Sequence, residues 1–316
     1  MAIKVIKSGI ADTIQDKGRY GYQHLGIQPN GFLDYQSAQL ANFILHNTIT
    51  EPVFEIHFPA STFCFTSNYT ICISGANFVP LLNEKSIALH TPITVKENDV
   101  LQFLKPLQGR VAYIAIQGKI KNETWLDSHS YFAKRIQKND IFEWGANNEK
   151  EFSNPTHTDL PNNSITNEII NGIINEIQSQ VFSTDPIRFI PGPAWEDLTP
   201  SAKESLVSSK FQISLQSNRM GYPIKGPLLH LHKPNQYLSA AVTRGTLQLL
   251  PNGELMVLMA DHQTIGGYAN LGQIILVDLP RFAQLSNQAS IHFMETNIDT
   301  AHKLYQQIEK KFIHRS

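Results

Sequence analysis

Short apolar or alternating runs, broken by Gly, Pro, Asn and Asp, set the rhythm of this chain. They fall at 62–66, 70–74, 93–95, 100–104, 110–117, 187–190, 211–215, 246–250, 255–259, 273–277 and 290–294. Even spacing of such runs with turn residues between them predicts strands rather than helices. The opening Met1-Ala2-Ile3-Lys4-Val5-Ile6-Lys7 alternates in the same way. Helical spacing is confined to a few places. Asp34 can cap a helix over 34–46, with Ala38, Ala41, Ile44 and Leu45 on one side. A short helix fits 200–208. From Asp299 onward Leu304, Tyr305, Ile308 and Phe312 share a face, and Lys310, Lys311 and Arg315 suit the negative end of that helix. Ile165, Ile169, Ile170, Ile173, Ile174, Ile177 and Val181 form one more apolar stripe.

These patterns predict a mostly β fold with a few short helices, divided in three. Residues 1–145 form an N-terminal β subdomain. Residues 146–184, polar and carrying Pro155 and Pro161, form a connector with the isoleucine stripe as its helix. Residues 185–316 form a C-terminal β subdomain.

Composition narrows the partners. The 316 residues are 41% hydrophobic and 17% charged, and 26 basic against 27 acidic residues leave a net charge of −1. That balance lacks the basic footprint of a nucleic-acid binder. No apolar run has the length of a membrane span, and the first residues lack a secretory core, so a cytoplasmic protein is expected. With Ser67-Asn68 as a hairpin turn, Cys64 would face Ile71 and Cys72 would face Phe63. The two sulfurs would then lie on opposite sides of a sheet as free thiols.

Candidate chemistry gathers in loops. Asp261-His262-Gln263-Thr264-Ile265-Gly266-Gly267-Tyr268 brings an acid, an amide, a hydroxyl, two glycines and a phenol to the end of a strand. The glycines permit positive φ or close approach of another group; a plain tight turn is the competing reading. Earlier, Gln15, Asp16 and Arg19 stand in a loop punctuated by Gly18, Gly21, Gly26 and Gly31. The Arg19 fork suits a carboxylate, phosphate or oxyanion, unless it only pairs with Asp16 to pin the loop. Asn218 and Arg219 sit in a third polar turn, and Asn77 follows the tight Ser74-Gly75-Ala76. Glu55, between apolar neighbours, is expected on an exposed edge. His230-Leu231-His232 alternates as a strand would, but no acid or thiol accompanies it at metal-ligand spacing, so no metal is expected. Phosphate-binding loops of the Gly-x-x-x-x-Gly-Lys and Gly-x-Gly-x-x-Gly types are missing from the sequence, as is a Gly-x-Ser-x-Gly nucleophile elbow.

In order, the motifs are Gln15-Asp16-x-Gly18-Arg19-x-Gly21, Gly26 to Asp34, Ala41-Asn42, Gly75-Ala76-Asn77, Gly192-Pro193, Ser217-Asn218-Arg219-Met220-Gly221-Tyr222 and Gly245-Thr246-Leu247-Gln248. Asp261-x-Gln263-Thr264-x-Gly266-Gly267-Tyr268, Asp278-Leu279 and Ala283-Gln284-Leu285 complete them. The series resembles the biotin-dependent carboxyltransferase family, which includes allophanate hydrolase subunit 2, the KipI antagonist and the 5-oxoprolinase C subunit. The resemblance covers nearly the whole chain. It implies two cyclophilin-like β-barrel subdomains facing a cleft. It implies a partner of the KipI type (the 5-oxoprolinase B subunit), another of the LamB/YcsF type (the A subunit), and a small amide or lactam substrate. Two departures stand out. Leu126-Asp127-Ser128-His129-Ser130-Tyr131 replaces a Leu-Gly-Ser-Arg-Ser-Thr segment, and Asn139-Asp140 replaces Gly-Asp.

From the resemblance, the leading expectation is the C subunit of an ATP-dependent 5-oxoprolinase, with ATP bound by or shared with a partner. Carboxyl transfer to urea or a related amide, with carboxybiotin brought by a partner, is the alternative; no Met here precedes a Lys, so the chain itself is not expected to be biotinylated. A third expectation is a non-catalytic KipI antagonist. Lactam opening and urea carboxylation both place negative charge on an oxygen of an N–C=O group, which fixed donors stabilise best. The expected catalytic residues are Asp16, Arg19 and Asp261. The expected substrate-binding residues are Gln15, Asn77, Asn218, Arg219, Gln263, Thr264, Gly266, Gly267 and Tyr268.

Overall fold

The computed structural model describes residues 2–130, 135–145, 164–233 and 236–313, with the side chains of 164–167 and 311–313 left aside. Tyr131, Pro155, Pro161 and Arg315, together with the side chains of Ile165, Lys311 and Phe312, lie outside the described residues. The fold is mostly β with few helices, as the alternation predicts. The chain makes two compact units. One comprises Met1–Gly18 and Asp34–Phe182; the other comprises Arg19–Leu33 and Ser183–Ser316.

Among the described residues the first unit holds two sheets. One has seven strands in the order Lys119–Ile120, Ile141–Gly145, Ala2–Lys7, Thr62–Phe65, Val100–Phe103, Pro80–Leu82, Lys85–Ser86. The other has five, in the order Thr13–Gln15, Val53–His57, Gln108–Ile116, Tyr69–Asn77, Ile93–Val95. Period-2 alternation builds the core: Ile3 and Val5 are fully buried while Lys4 between them is exposed. Phe54 lies at the centre, with ring centroids 4.9 Å from Phe63, 5.2 Å from Phe142 and 5.4 Å from Trp144.

The Tyr35–Ile44 helix starts as expected, with the Asp34 carboxylate accepting from the Ser37 N–H at 3.0 Å. It packs on the Gln108–Ile116 and Tyr69–Asn77 strands. That cover explains a correction. Glu55 is wholly buried, not exposed, because the helix closes the second face of its sheet. There it accepts from Tyr113 Oη at 3.0 Å, and Tyr113 in turn accepts from the Asp34 N–H at 2.6 Å. A buried carboxylate needs such donors.

The cysteine hairpin is also corrected. Thr62–Phe65 pairs with Ala2–Lys7 and Val100–Phe103, whereas Tyr69–Asn77 pairs with Gln108–Ile116 and Ile93–Val95. The chain passes from one sheet to the other at 66–68, so Cys64 and Cys72 never oppose each other. Both thiols are free, and burial pushes the Cys72 thiol up.

In the second unit an eight-stranded sheet runs Ser290–Ile291, Phe211–Ile213, Gly221–Lys225, Leu255–Leu258, Thr246–Leu249, Ala269–Ile274, Ile187–Pro191, Phe293–Glu295. Its pairs are antiparallel except the last, which is parallel. A two-stranded ribbon, Ala240–Ala241 with Ile265–Gly266, stands apart in the pairing. The 273–277 run departs from expectation: its strand is Ala269–Ile274, and Leu276–Asp278 turns into a 3-10 helix. Asp278 is the reason. Its buried carboxylate takes three hydrogen bonds from Arg188, through N, Nε and Nη2 at 2.6–3.0 Å, and pairs with Arg281 at 3.2 Å. His230 and His232 are not partners on a strand face: both lie outside any strand, and only Leu231 forms a bridge, with Leu198.

The altered segment makes a tight turn. Trp125 and Ser128 exchange backbone hydrogen bonds at 2.9 and 3.2 Å, with Leu126 at φ 51° and Asp127 at φ 58° between them. Two consecutive positive φ values are what a two-residue hairpin turn demands, and glycine meets that demand without strain. Asp127→Gly is expected to raise unfolding stability by about 0.5–1 kcal/mol in urea titrations.

A second expectation concerns acid. Burial pulls the His90 imidazole from 6.5 down to about 4. The unfolded chain therefore binds a proton that the folded chain refuses, and stability falls as pH drops from about 6.5 toward 4. His90→Asn, which tolerates the φ of 56° there, should lose on the order of 2 kcal/mol less stability than the native chain between pH 7 and pH 4.

Candidate functional site

The second unit concentrates charge around one carboxylate. Asp261 follows the Leu255–Leu258 strand and is 5% exposed. Arg219, from the turn between Phe211–Ile213 and Gly221–Lys225, grips it as a fork: Nε to Oδ2 and Nη2 to Oδ1, both 2.8 Å. The backbones lock as well, the Asp261 N–H donating to the Arg219 carbonyl at 2.8 Å. Bidentate geometry of this kind gives both strength and orientation.

The 19–33 segment supplies the remaining contacts. Asn30, held at φ 58°, donates through Nδ2 to Asp261 Oδ1 at 2.7 Å, and its Oδ1 accepts from Arg19 Nη1. Gln28 Nε2 donates to the Asp261 carbonyl at 2.8 Å. Arg219 Nη2 reaches the Gly31 carbonyl at 2.8 Å, and Arg244 donates to the carbonyls of Phe32 and Leu33. A glycine-rich loop without strands has carbonyls to spare, and guanidinium donors satisfy them. Arg19, Asn30, Asp261 and Arg219 thus form one continuous chain of alternating donors and acceptors.

Arg19, Arg219 and Asp261, expected from the sequence, meet in this network. Gln263, Thr264, Gly266, Gly267 and Tyr268 continue the loop that leaves Asp261. Thr264 presents its carbonyl to the Val242 N–H at 3.1 Å, and Tyr268 is exposed. Neither Gly266 nor Gly267 adopts a positive φ. The reason for Gly266 is close approach: a Cβ there would lie 2.6 Å from Gln248 Nε2. Asn218 is exposed at its turn, where its Oδ1 accepts from the Met220 N–H at 2.8 Å.

Gln15, Asp16 and Asn77 belong to the first unit. Asp16, 4% exposed, accepts from the Gly18 N–H, Ser128 Oγ and Ser130 Oγ at 2.7 Å each and from the His129 N–H at 2.6 Å. It anchors the altered 126–130 turn. Burial lowers the His129 imidazole, and the Asp16 charge opposes that shift. Gln15 is wholly buried, with Nε2 donating to Thr13 Oγ1 at 2.9 Å and Oε1 unmatched. Asn77 Oδ1 accepts from the Val79 N–H at 2.9 Å. Beside the turn lies a cavity of about 380 Å³ lined by Trp125, Ser128, His129, Arg135 and Phe142 among others.

Sequence reasoning missed Gln28, Asn30 and Arg244. The signal was present in Asn30-Gly31, a dipeptide suited to two positive φ values, which Gly31 also adopts at 93°. His262 was also passed over. It is 2% exposed, its Nδ1 hydrogen-bonds the Gln263 carbonyl, and burial, the largest influence, lowers its pKa. The described residues include no cluster of three or more His, Cys, Asp or Glu able to hold a metal, and no helix long and apolar enough to cross a membrane.

The fold is mostly β, and its second unit buries an arginine–carboxylate network. The chain belongs to the carboxyltransferase domain family, subdomains A and B, whose family model matches residues 25–295. It is 27% identical to the 5-oxoprolinase C subunit of Escherichia coli, over 98% of this chain and 96% of that protein. It is 26% identical to the same protein of Haemophilus influenzae, over 92% and 90%. Among solved structures, the Kluyveromyces lactis urea carboxylase shares its fold, with a TM-score of 0.86 and 23% identity over the whole chain. The chain spans only 29% of that carboxylase.

Removing Asp261 leaves Arg19 and Arg219 without the anion that joins them. Asp261→Ala is expected to cost roughly 3–5 kcal/mol. Arg219→Met made together with Asp261→Ala should cost clearly less than the sum of the single changes, as measured by urea unfolding.

Proposed function

We propose that this chain is the C subunit of an ATP-dependent 5-oxoprolinase, which opens 5-oxoproline to glutamate together with partner subunits. The observation that carries the reading is the match to the 5-oxoprolinase C subunits, at 27% and 26% identity over 98% and 92% of this chain. A KipI-type partner (the B subunit) and a LamB/YcsF-type partner (the A subunit) belong to this proposal.

Opening a lactam moves negative charge onto the carbonyl oxygen as a nucleophile adds, and then requires a proton at the departing nitrogen. Donors fixed before the reaction stabilise that oxygen without reorganising. In our reading Arg19 and Arg219 supply positive potential, and Asp261 fixes their orientation. Its oxygens already accept three hydrogen bonds, which suits holding better than proton transfer. Asp16, with four hydrogen bonds to its oxygens, has the same character. Gln15, Asn77, Asn218, Gln263, Thr264, Gly266, Gly267 and Tyr268 remain the proposed substrate contacts. ATP does not fit this network. Both guanidiniums are turned to acceptors of their own chain, and the sequence has no phosphate loop. We therefore assign the nucleotide to a partner.

The test is reconstitution. Mixed with its partners, the chain should release glutamate from 5-oxoproline only when ATP is present. Arg219→Lys, which keeps charge but loses the fork, should lower that rate by roughly 10-fold or more. An assembled complex that is inert on 5-oxoproline but accelerates decarboxylation of carboxybiotin would replace this reading with carboxyl transfer.

A further inference from the structure

The cavity beside the 125–128 turn lies wholly within the first unit, and the lactam reading makes no use of it. Its volume of about 380 Å³ falls in the range of small-molecule sites. The floor is the margin of the hydrophobic core. Phe142 and Ile136 belong to that core, and the half-buried Ile14 packs against it. One wall is the indole of Trp125, 44% exposed. The wall is braced from behind: Trp125 and Ser128 exchange backbone hydrogen bonds, and Asp16 accepts from Ser128 Oγ and the His129 N–H. A cavity walled by a fixed turn and core side chains costs little to organise when a ligand enters.

The charges around this apolar floor are of both signs. Arg135 and Glu123 both line the cavity and both are exposed. Among the described residues neither takes part in an ion pair. The Arg135 side chain makes one hydrogen bond, from Nη1 to the Ile10 carbonyl at 3.2 Å, which leaves most of its five N–H donors for another acceptor. Asp140, a second acid in the lining, accepts from the Gln137 N–H at 2.8 Å. His129 adds no cation near pH 7, because burial holds its pKa below the usual value. Arg135 is therefore the cation of the lining, facing two acids. A simple anion would meet one favourable charge and two unfavourable ones, and a simple cation would meet the reverse with Arg135. A molecule carrying both charges suits the lining, provided that it also has an apolar body for the floor and the indole face.

We propose that this cavity binds a free α-amino acid with an apolar side chain. Its carboxylate pairs with Arg135, its ammonium pairs with Glu123, and its side chain lies between Trp125 and the floor formed by Ile14, Ile136 and Phe142. The site is independent of the lactam reading, since none of these residues is among the contacts assigned there.

The chain has three tryptophans, and Trp144 and Trp195 are buried, so acrylamide quenching reports chiefly on Trp125. L-Phenylalanine added to the full chain should protect that fluorescence saturably. It should bind at least about 5-fold more tightly than 3-phenylpropionate, which lacks the ammonium, and than 2-phenylethylamine, which lacks the carboxylate. L-Glutamate, without an apolar side chain, should bind more weakly still. Arg135→Gln should erase the preference over 2-phenylethylamine but keep that over 3-phenylpropionate, and Glu123→Gln should do the opposite. Both changes fall on exposed side chains, and a general loss of structure would not give this crossed pattern. Trp125→Phe should remove the quenching change while ligand-observed NMR still detects binding. Absence of saturable binding at millimolar phenylalanine would overturn the proposal. So would equal binding of either analogue or of glutamate, preferences unchanged in both charge variants, or protection that persists in Trp125→Phe.

Discussion

The grip of Arg219 on Asp261 is the constraint around which the second unit is arranged. A carboxylate 5% exposed is tolerable only with charged or polar partners. Meeting that need fixes the turn before Gly221, the end of the Leu255–Leu258 strand and the conformation of Asn30. Through Asn30 the demand extends to Arg19, far away in the sequence. The loop after Asp261 then leaves from a fixed point, which is how a segment with little regular structure of its own can present polar groups reproducibly.

The first unit solves a similar problem with neutral groups. Asp16 is surrounded by two serine hydroxyls and two backbone N–H groups, not by a guanidinium fork. The two serines belong to the segment where the sequence departs from the family pattern. Asp127 keeps a left-handed conformation where the pattern has glycine, so the turn survives the substitution at the cost of strain. The altered segment is therefore an intact anchor for Asp16. The change at His129 falls on charge and not on backbone shape.

Much of the fold was legible because alternation and capping are local. The helices beginning after Asp34 and at Pro200, and most strands, lie where periodicity places them. The errors were non-local. The Cys64–Cys72 hairpin failed because strand pairing depends on partners such as Ala2–Lys7 and Gln108–Ile116, which local pattern does not reveal. Glu55 was misplaced for a related reason: only the helix packed on its sheet makes the position interior. Of the site, Arg19, Arg219 and Asp261 stood out by chemistry. Asn30, which joins them, did not, since an Asn-Gly pair reads first as a turn.

The membership of residues 19–33 in the second unit has a consequence for biosynthesis. These residues leave the ribosome early, flanked on both sides by sequence of the first unit, yet their arginine and aspartate partners lie beyond position 218. While translation proceeds, the Asn30 amide and the carbonyls of Gly31, Phe32 and Leu33 wait for Asp261, Arg219 and Arg244. The nascent first unit must close around an excursion of its own chain that stays open until the last third of the protein emerges. Completion of the second unit is thus a late step, one that staples an early stretch of the polypeptide to a stretch made long after it.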